Sequence, residues 1–127
     1  MEFPDISIVR GTTLGTTAIV VYSDKAKTVR DDLTGSIPVA LVKDRKGNLI
    51  VDLEPTVELA ATYYPDVNDG AGGPLSGYII VFDLTDEETS VLPDGCYVWD
   101  LINEYSSGEK QQLLAGLFNI TLSTTLG

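Results

Sequence analysis

Short segments rich in β-branched and aromatic residues, each closed by a turn signal, follow one another along the chain. Such residues are favoured in β-strands, and the predicted strands are 5–9, 16–22, 36–44, 48–55, 78–84, 96–105 and 112–122. Within this series, "DRKGN" at 44–48 has the length and composition of a hairpin turn. No heptads or internal repeats accompany the strands. This spacing of strands and turns predicts an all-β sandwich.

One helix signal interrupts the strands, in "TDEETSVLP" at 85–93. Thr85 suits the N-cap position, and Glu88 three residues later completes a capping box. Asp86 and Glu87 suit the positive end of the helix dipole. We therefore expect one short helical crossover within an immunoglobulin-like antiparallel β-sandwich of about seven strands. Residues 1–127 are expected to form a single domain.

The residues between strands 48–55 and 78–84 are harder to interpret. Segment 55–65 fits either a strand that continues beyond a proline break or a short helical turn. Segment 66–77 holds four glycines and is expected to be a mobile surface loop. The spacing of its acidic and amide residues departs from the EF-hand pattern at the third ligand position. The distal Glu of that pattern is also absent. No EF-hand site is therefore predicted there, and an irregular Ca²⁺ site is the open alternative.

The net charge of −11 is unevenly distributed along the chain. Between Gly47 and Glu109 there are thirteen Asp and Glu residues and no Lys or Arg. Such a surface repels phosphate backbones, so no nucleic acid partner is expected; it either solubilises the protein or docks on a basic partner. No apolar run approaches the roughly 20 residues that span a bilayer. Without a visible secretory signal either, we expect no membrane partner and synthesis in a cytoplasm.

The stretch "LPDGCYVWDL" at 92–101 predicts a tyrosine corner, in which a Tyr hydroxyl bonds back to the backbone just upstream. Alternation along the strand then places Cys96, Val98 and Asp100 on the face opposite the core. In the last strand, Gly116 is expected to form a bulge or a close contact. The predicted core comprises Tyr97, Trp99, Leu101, Phe82, Phe118 and Ile120.

Other apolar residues point away from this core. Strand 78–84 is apolar on both faces, as in a strand that is covered on each side or lies at an interface. A monomer seldom exposes a contiguous apolar patch. The candidate interface therefore comprises Ile79, Val81, Leu113 and Leu117. The alternative for strand 78–84 is burial beneath segment 55–76.

Residues suited to catalysis are scarce. The chain has no histidine, the commonest general base and metal ligand. Cys96 therefore lacks an imidazole partner and is expected to be a packing residue. The carboxylates of Asp31 and Asp32, and those of 86–88, lie in polar segments and are interpreted as solvated charge rather than a glycosidase pair. No catalytic residue, cofactor or metal is predicted.

Five short motifs follow one another in a particular order along the chain. They are "RGTTL" (10–14), "DLTG" (32–35), "ALVKDRKG" (40–47), a crossover of the form T-x-x-x-T-x-x-L-P-x-G-x-Y-x-W-D-L (85–101) and "LLAGLFNI" (113–120). In the order of these motifs the chain resembles one family of phage proteins. From about residue 6 to residue 122 it is similar to the immunoglobulin-like N-terminal domain of phage baseplate upper proteins and related tail-fibre attachment domains.

This resemblance implies a non-enzymatic structural component of a bacteriophage virion. Its implied partners are other virion proteins (tail, baseplate, fibre or major capsid protein), and it implies a homo-oligomer in the particle. In larger proteins of this kind a coiled coil or fibre follows the domain, whereas this sequence stops at Gly127. We therefore expect an adaptor or decorating subunit. A capsid cement protein, with trimers at shell contacts, is the alternative.

Two further classes of function remain open. A carbohydrate-binding sandwich would stack exposed aromatic rings on sugars, and Tyr63, Tyr64 and Tyr105 are candidates. The first two, next to Pro65, fit a packed loop anchor equally well. The second class is a hydrolase. It would require a catalytic activity that is lost when Asp86 or Glu88 is replaced by alanine.

Overall fold

The computed structural model describes residues 5–22, 32–63 and 77–122. These residues contain eight strands and two short helices. The strands are β1 (Ile6–Val9), β2 (Leu14–Ile19), β3 (Ile37–Lys43), β4 (Leu49–Asp52), β5 (Thr56–Leu59), β6 (Tyr78–Leu84), β7 (Gly95–Glu104) and β8 (Lys110–Thr121). The helices are α1 (Ala60–Tyr63) and α2 (Asp86–Ser90). The prediction of an all-β fold with one short helical crossover is confirmed by β1–β8 and by α2.

The strands form two sheets. The large sheet has the order β1-β8-β7-β3-β4, and the small sheet has the order β2-β6-β5. All strand pairs are antiparallel except one, because β1 runs parallel to β8 with Ile6 opposite Phe118 and Ile8 opposite Ile120. The sandwich is thus antiparallel, as expected, except at this edge. Parallel neighbours require a long connection, and here the connection is most of the chain.

The predicted strand 48–55 corresponds to β4 of the large sheet, which ends at Asp52. The backbone turns at Glu54, which has a positive φ of 49°, and the Asp52 carboxylate accepts a hydrogen bond from the Glu54 N–H at 2.9 Å. The chain then continues as β5 in the small sheet. Segment 55–65 was expected to form either a strand or a helical turn. Its described part contains both, since strand β5 is followed directly by the helical turn α1.

The core lies between the two sheets. Five of the six predicted core residues are buried, whereas Tyr97 is half-buried and packs against them. The rings of Phe82 from the small sheet and Trp99 from the large sheet meet edge to face, with centroids 5.8 Å apart. An edge-to-face pair of aromatic rings stabilises the fold beyond the contribution from burying the two rings. Asn103 is also fully buried, and its Nδ2 donates to Ser36 Oγ at 3.2 Å.

The crossover between β6 and β7 has the predicted capping box. Thr85 Oγ1 accepts from the Glu88 N–H at 3.2 Å, and Glu88 Oε1 accepts from the Thr85 N–H at 3.0 Å. The buried hydroxyl of Thr89 donates to Thr12 O at 2.6 Å and accepts from the Gly11 N–H at 3.1 Å. These two bonds attach the crossover to the β1–β2 turn.

Candidate interaction surface

The large sheet has one face toward the core and one face toward solvent. Along β7, Trp99 and Leu101 are buried in the core, so alternation directs Val98, Asp100 and Ile102 to the other side. The solvent side of the large sheet is called the outer face below. β7 is the middle strand of this sheet, between β3 and β8.

Apolar side chains occupy the outer face as cross-strand pairs. Val39 of β3 lies directly opposite Ile102 of β7, and Val98 of β7 lies directly opposite Leu117 of β8. The exposed fractions are 44% for Val39, 36% for Ile102, 40% for Val98 and 38% for Leu117. Side chains of directly opposite residues are close enough to pack on one another. Val39, Leu41, Val98, Ile102 and Leu117 are together called the outer-face patch.

The outer-face patch lies on β3, β7 and β8, the three strands of the large sheet that have a neighbouring strand on each side. It therefore offers side chains to a partner rather than free backbone N–H and C=O groups. A sheet with one solvated face normally alternates apolar and polar residues. The outer-face patch departs from that rule at consecutive outward positions of β3, Val39 and Leu41.

The carboxylate of Asp100 lies at the centre of this apolar surface, whereas that of Asp52 lies at its edge, opposite Leu41. The cross-strand partners of Asp100 are Leu41 on β3 and Ala115 on β8, and Val98 and Ile102 flank it along β7. Asp100 is half-buried. In the described parts of the chain its carboxylate forms no hydrogen bond and no ion pair. The outer-face patch thus surrounds an acceptor with a full negative charge and no partner.

Among the described residues, Lys43 is the cation that strand pairing places nearest to Asp100 on this face. Lys43 lies opposite Val98, one diagonal position from Asp100. It is exposed, and among the described residues it makes no ion pair. The charge of Asp100 is therefore not neutralised within the described part of the chain.

Two of the predicted interface residues are not at the surface. Ile79 and Val81 of β6 are buried in a small cluster with Ala60 of α1. They alternate with Ile80 and Phe82, which enter the main core. The expectation that Ile79 and Val81 form an interface is therefore wrong, and the alternative of burial describes them. Strand β6 is apolar on both faces because it is covered on both.

The other two predicted interface residues, on β8, have different positions. Leu117 lies in the outer-face patch, as expected. Leu113 is half-buried and packs against the main core. The reason is a bulge, because Leu101 pairs with Leu114 whereas Ile102 pairs with Gln112, which leaves Leu113 as the extra residue. The bulge was expected at Gly116, which instead pairs regularly with Trp99.

The chemically reactive candidates are dispersed. Cys96 is a free, exposed thiol on the outer face, opposite Asn119, so its interpretation as a packing residue is wrong. The Glu88 carboxylate is committed to the capping box. The Asp32 carboxylate accepts from the Thr34 N–H at 3.0 Å, and this backbone bond, followed by a bond to the Thr34 side chain, lowers the pKa of Asp32. Asp31 lies outside the described residues.

The candidate sugar-stacking tyrosines do not form a platform. Tyr63 is exposed at the end of α1, whereas Tyr105 is half-buried and packs against the main core. Tyr64, the 66–76 part of the predicted loop, and the acidic residues considered there for calcium lie outside the described residues. In the described ranges, no group of three or more His, Cys, Asp and Glu side chains is placed to hold a metal ion.

Comparisons with protein families and with curated proteins identify no relative of this chain. Among the helices of the described ranges, none is long and apolar enough to cross a membrane. The function of the chain is therefore inferred from its own residues and surfaces.

Proposed function

We propose that this chain is a non-enzymatic structural subunit of a bacteriophage particle. In this proposal it is an adaptor or decorating subunit, made in the host cytoplasm and assembled into the virion. It docks on tail, baseplate or fibre proteins through the outer-face patch. The phage assignment is supported by the order of the five sequence motifs described above, and the docking by the outer face of the large sheet.

The single observation that carries the docking proposal is the apolar character of the middle of the outer face. Val39 with Ile102 and Val98 with Leu117 form two exposed cross-strand pairs on adjacent strands. The fold does not require apolar residues there, since threonine would preserve the β-propensity and tolerate water. Contiguous exposed apolar surface on a soluble domain is typical of protein–protein contact sites.

The proposal is tested on particles of the phage whose genome encodes the chain. Particles are purified by density gradient from infected cells and washed with high salt, and their proteins are quantified by mass spectrometry. We expect the chain in a fixed ratio to the tail or capsid subunits. Its absence from washed particles would overturn the proposal. Antibody labelling in electron micrographs distinguishes an adaptor on the tail from a decorating subunit on the capsid shell.

Cys96 reports whether the outer face is the docking surface. Its thiol is exposed two residues from Val98, so alkylation should be fast in the free protein and slow in intact particles. The matched control places a cysteine at Val91, which is exposed near the crossover, by combining Val91→Cys with Cys96→Ser. This thiol should react equally fast in both states. Protection of the control site, or free reaction at Cys96 in particles, would contradict docking through the outer face.

A further inference from the structure

The geometry points to an arginine on the partner protein that enters the outer-face patch and pairs with Asp100. The partner surface around this arginine is apolar, and the partner is a protein different from this chain. This inference rests on the proposed function only in taking the outer-face patch to be a protein interface. It adds the chemistry of the partner.

The first step is the environment of Asp100. The carboxylate lies at the centre of the outer-face patch, between Val98 and Ile102 along the strand and between Leu41 and Ala115 across it. Any surface that covers these apolar side chains also removes water from Asp100. A carboxylate that loses water without gaining a partner opposes binding strongly. The covering surface must therefore supply donors and a positive charge.

The second step excludes a second copy as the occupant. Each chain carries a net charge of −11, so two copies repel each other before contact. A twofold contact is isologous, with the same patch on both sides. Centred on the outer-face patch, it would bring Asp100 against Asp100. Within the described ranges, the cation that strand pairing places nearest to Asp100 is Lys43, which lies one diagonal position away and is exposed.

The third step favours arginine over lysine. The guanidinium is planar, is more weakly hydrated than an ammonium and presents paired donors that match a carboxylate. It can also lie flat against apolar side chains such as Val98 and Ile102. Arginine is accordingly enriched at the buried centres of protein interfaces, whereas lysine is depleted there. The acidic net charge of the chain would also speed association with such a basic partner.

The test uses two small probes of the same shape on the full-length, ¹⁵N-labelled chain. N-butylguanidinium carries the charge and the apolar tail of an arginine, and N-butylurea is its neutral counterpart. NMR titrations follow the backbone amides. We expect butylguanidinium to shift amides of 39–41, 98–102 and 115–117 and to bind more tightly than butylurea. Shifts confined to other parts of the chain, or equal affinity for the two probes, would overturn the inference.

Variants assign the effect to the carboxylate. Asp100→Asn should weaken butylguanidinium binding about threefold or more and leave butylurea binding unchanged. Asp83→Asn is the matched control, because Asp83 is an exposed aspartate on β6, the middle strand of the small sheet. It should leave both affinities unchanged. Equal weakening by Asp83→Asn would reduce the effect to net charge and would contradict a local site.

A second measurement addresses self-association. Light scattering over a range of concentrations should give the mass of a monomer for the purified chain, both as wild type and as Asp100→Asn. A dimer that dissociates with Val98→Glu would show that a second copy occupies the outer-face patch, and would overturn the assignment to a different protein.

These outcomes are separate from those of the particle experiment. If the chain is absent from particles while guanidinium binding still depends on Asp100, the phage role fails and the inferred partner chemistry stands. If the chain is present in particles while Asp100→Asn binds both probes as the wild type does, the phage role stands and the arginine contact fails.

Discussion

Gly95 and Tyr97 are fitted to one another at the start of β7. A Cβ atom at Gly95 would lie 3.0 Å from both Cζ and the hydroxyl oxygen of Tyr97. The φ angle of Gly95 is +151°, which side chains disfavour. The hydroxyl of Tyr97 lies 3.0 Å from the carbonyl oxygens of both Pro93 and Asp94. The glycine thus makes room for the ring of the predicted tyrosine corner, and the ring secures the turn that leads from α2 into β7.

Removal of the Tyr97 hydroxyl tests how much this corner contributes to the free energy of unfolding. Tyr97→Phe keeps the ring and leaves the Pro93 and Asp94 carbonyls without this donor, so we expect the free energy of unfolding to fall by about 1 kcal/mol. Urea denaturation followed by fluorescence measures the change. Tyr78→Phe is the control, because Tyr78 is exposed and its hydroxyl makes no hydrogen bond within the described residues. Equal losses for the two variants would show that the corner bond is not stabilising.

Substitution of Gly95 tests the steric part of the same arrangement. Gly95→Ala should cost about 2 kcal/mol, since the methyl group meets the Tyr97 ring and the backbone angle is unfavourable for alanine. Gly15→Ala in β2 is the control, because a Cβ there meets no atom within 4 Å. It should leave the free energy of unfolding nearly unchanged. A Gly95→Ala variant as stable as Gly15→Ala would contradict the fitted geometry.

The carboxylate of Asp44 predicts a dependence of stability on pH. It accepts hydrogen bonds from the Asn48 Nδ2 at 3.0 Å, the Asn48 N–H at 2.8 Å and the Lys46 N–H at 2.9 Å. The Asn48 side chain is the largest cause of a lowered pKa for Asp44, followed by the Asn48 backbone. A folded-state pKa below the unfolded one stabilises the fold above the unfolded value, about 3.9. That contribution is lost as the pH falls through the lowered pKa of the folded state.

Two variants isolate this contribution. Asp44→Asn keeps an acceptor oxygen but removes the titration, and Asn48→Ala removes the side-chain donor Nδ2 while the backbone N–H at position 48 remains. Both should flatten the loss of unfolding free energy between neutral and acidic pH, measured by urea denaturation at several pH values. NMR titration of the Asp44 carboxyl group in the wild type gives the direction of its pKa shift directly. A pKa at or above the ordinary aspartate value would contradict the prediction.

Local signals made part of the fold predictable from sequence. The hairpin at 44–48, the capping box at Thr85 and Glu88, and the tyrosine corner each depend on residues within five positions of one another, so their chemistry is visible in the sequence. The outward direction of Val98 and Asp100 followed from alternation along one strand. The same alternation also predicted most of the buried core residues correctly.

Long-range relationships were not predictable in the same way. The parallel pairing of β1 with β8 joins the two ends of the chain, and no local pattern encodes it. The bulge at Leu113 shifts the register by one residue, which redirects a side chain that alternation alone would place outward. Val39 and Ile102 are far apart in sequence, so the outer-face patch is apparent only once β3 and β7 are paired. The predicted interface therefore contained one of its five residues, Leu117.

Thr89 is a residue whose role only the tertiary structure reveals. Its hydroxyl bonds to Thr12 O and to the Gly11 N–H across 77 and 78 positions of sequence. Thr89→Val keeps the shape of the side chain but leaves two half-buried backbone groups without this partner, so we expect a loss of about 1–2 kcal/mol in the free energy of unfolding. Thr89→Ser retains the hydroxyl and should lose less. If serine is as destabilising as valine, the methyl packing rather than the hydrogen bonds determines the effect.

The outer-face patch should affect assembly without affecting the fold. In the double variant Val98→Thr with Ile102→Thr, both positions remain β-branched and solvent-exposed, so the free energy of unfolding should change by less than about 1 kcal/mol. When variant and wild type compete for incorporation into particles, we expect the variant at about a tenth of the wild-type amount, because central apolar residues carry much of an interface's binding energy. Mass spectrometry of purified particles gives this ratio.

The control for assembly is Leu59→Thr, an equally conservative change at an exposed leucine of β5 in the small sheet. It removes apolar surface on a strand outside the outer face, so it should be incorporated as well as the wild type. Equal incorporation of the Val98 and Ile102 double variant would mean that the outer face is not in contact in the particle. Exclusion of Leu59→Thr, with normal incorporation of the double variant, would place the contact on the small sheet instead. The two substitutions therefore identify which sheet the particle covers, because each sheet carries its exposed apolar residues on a different surface of the molecule.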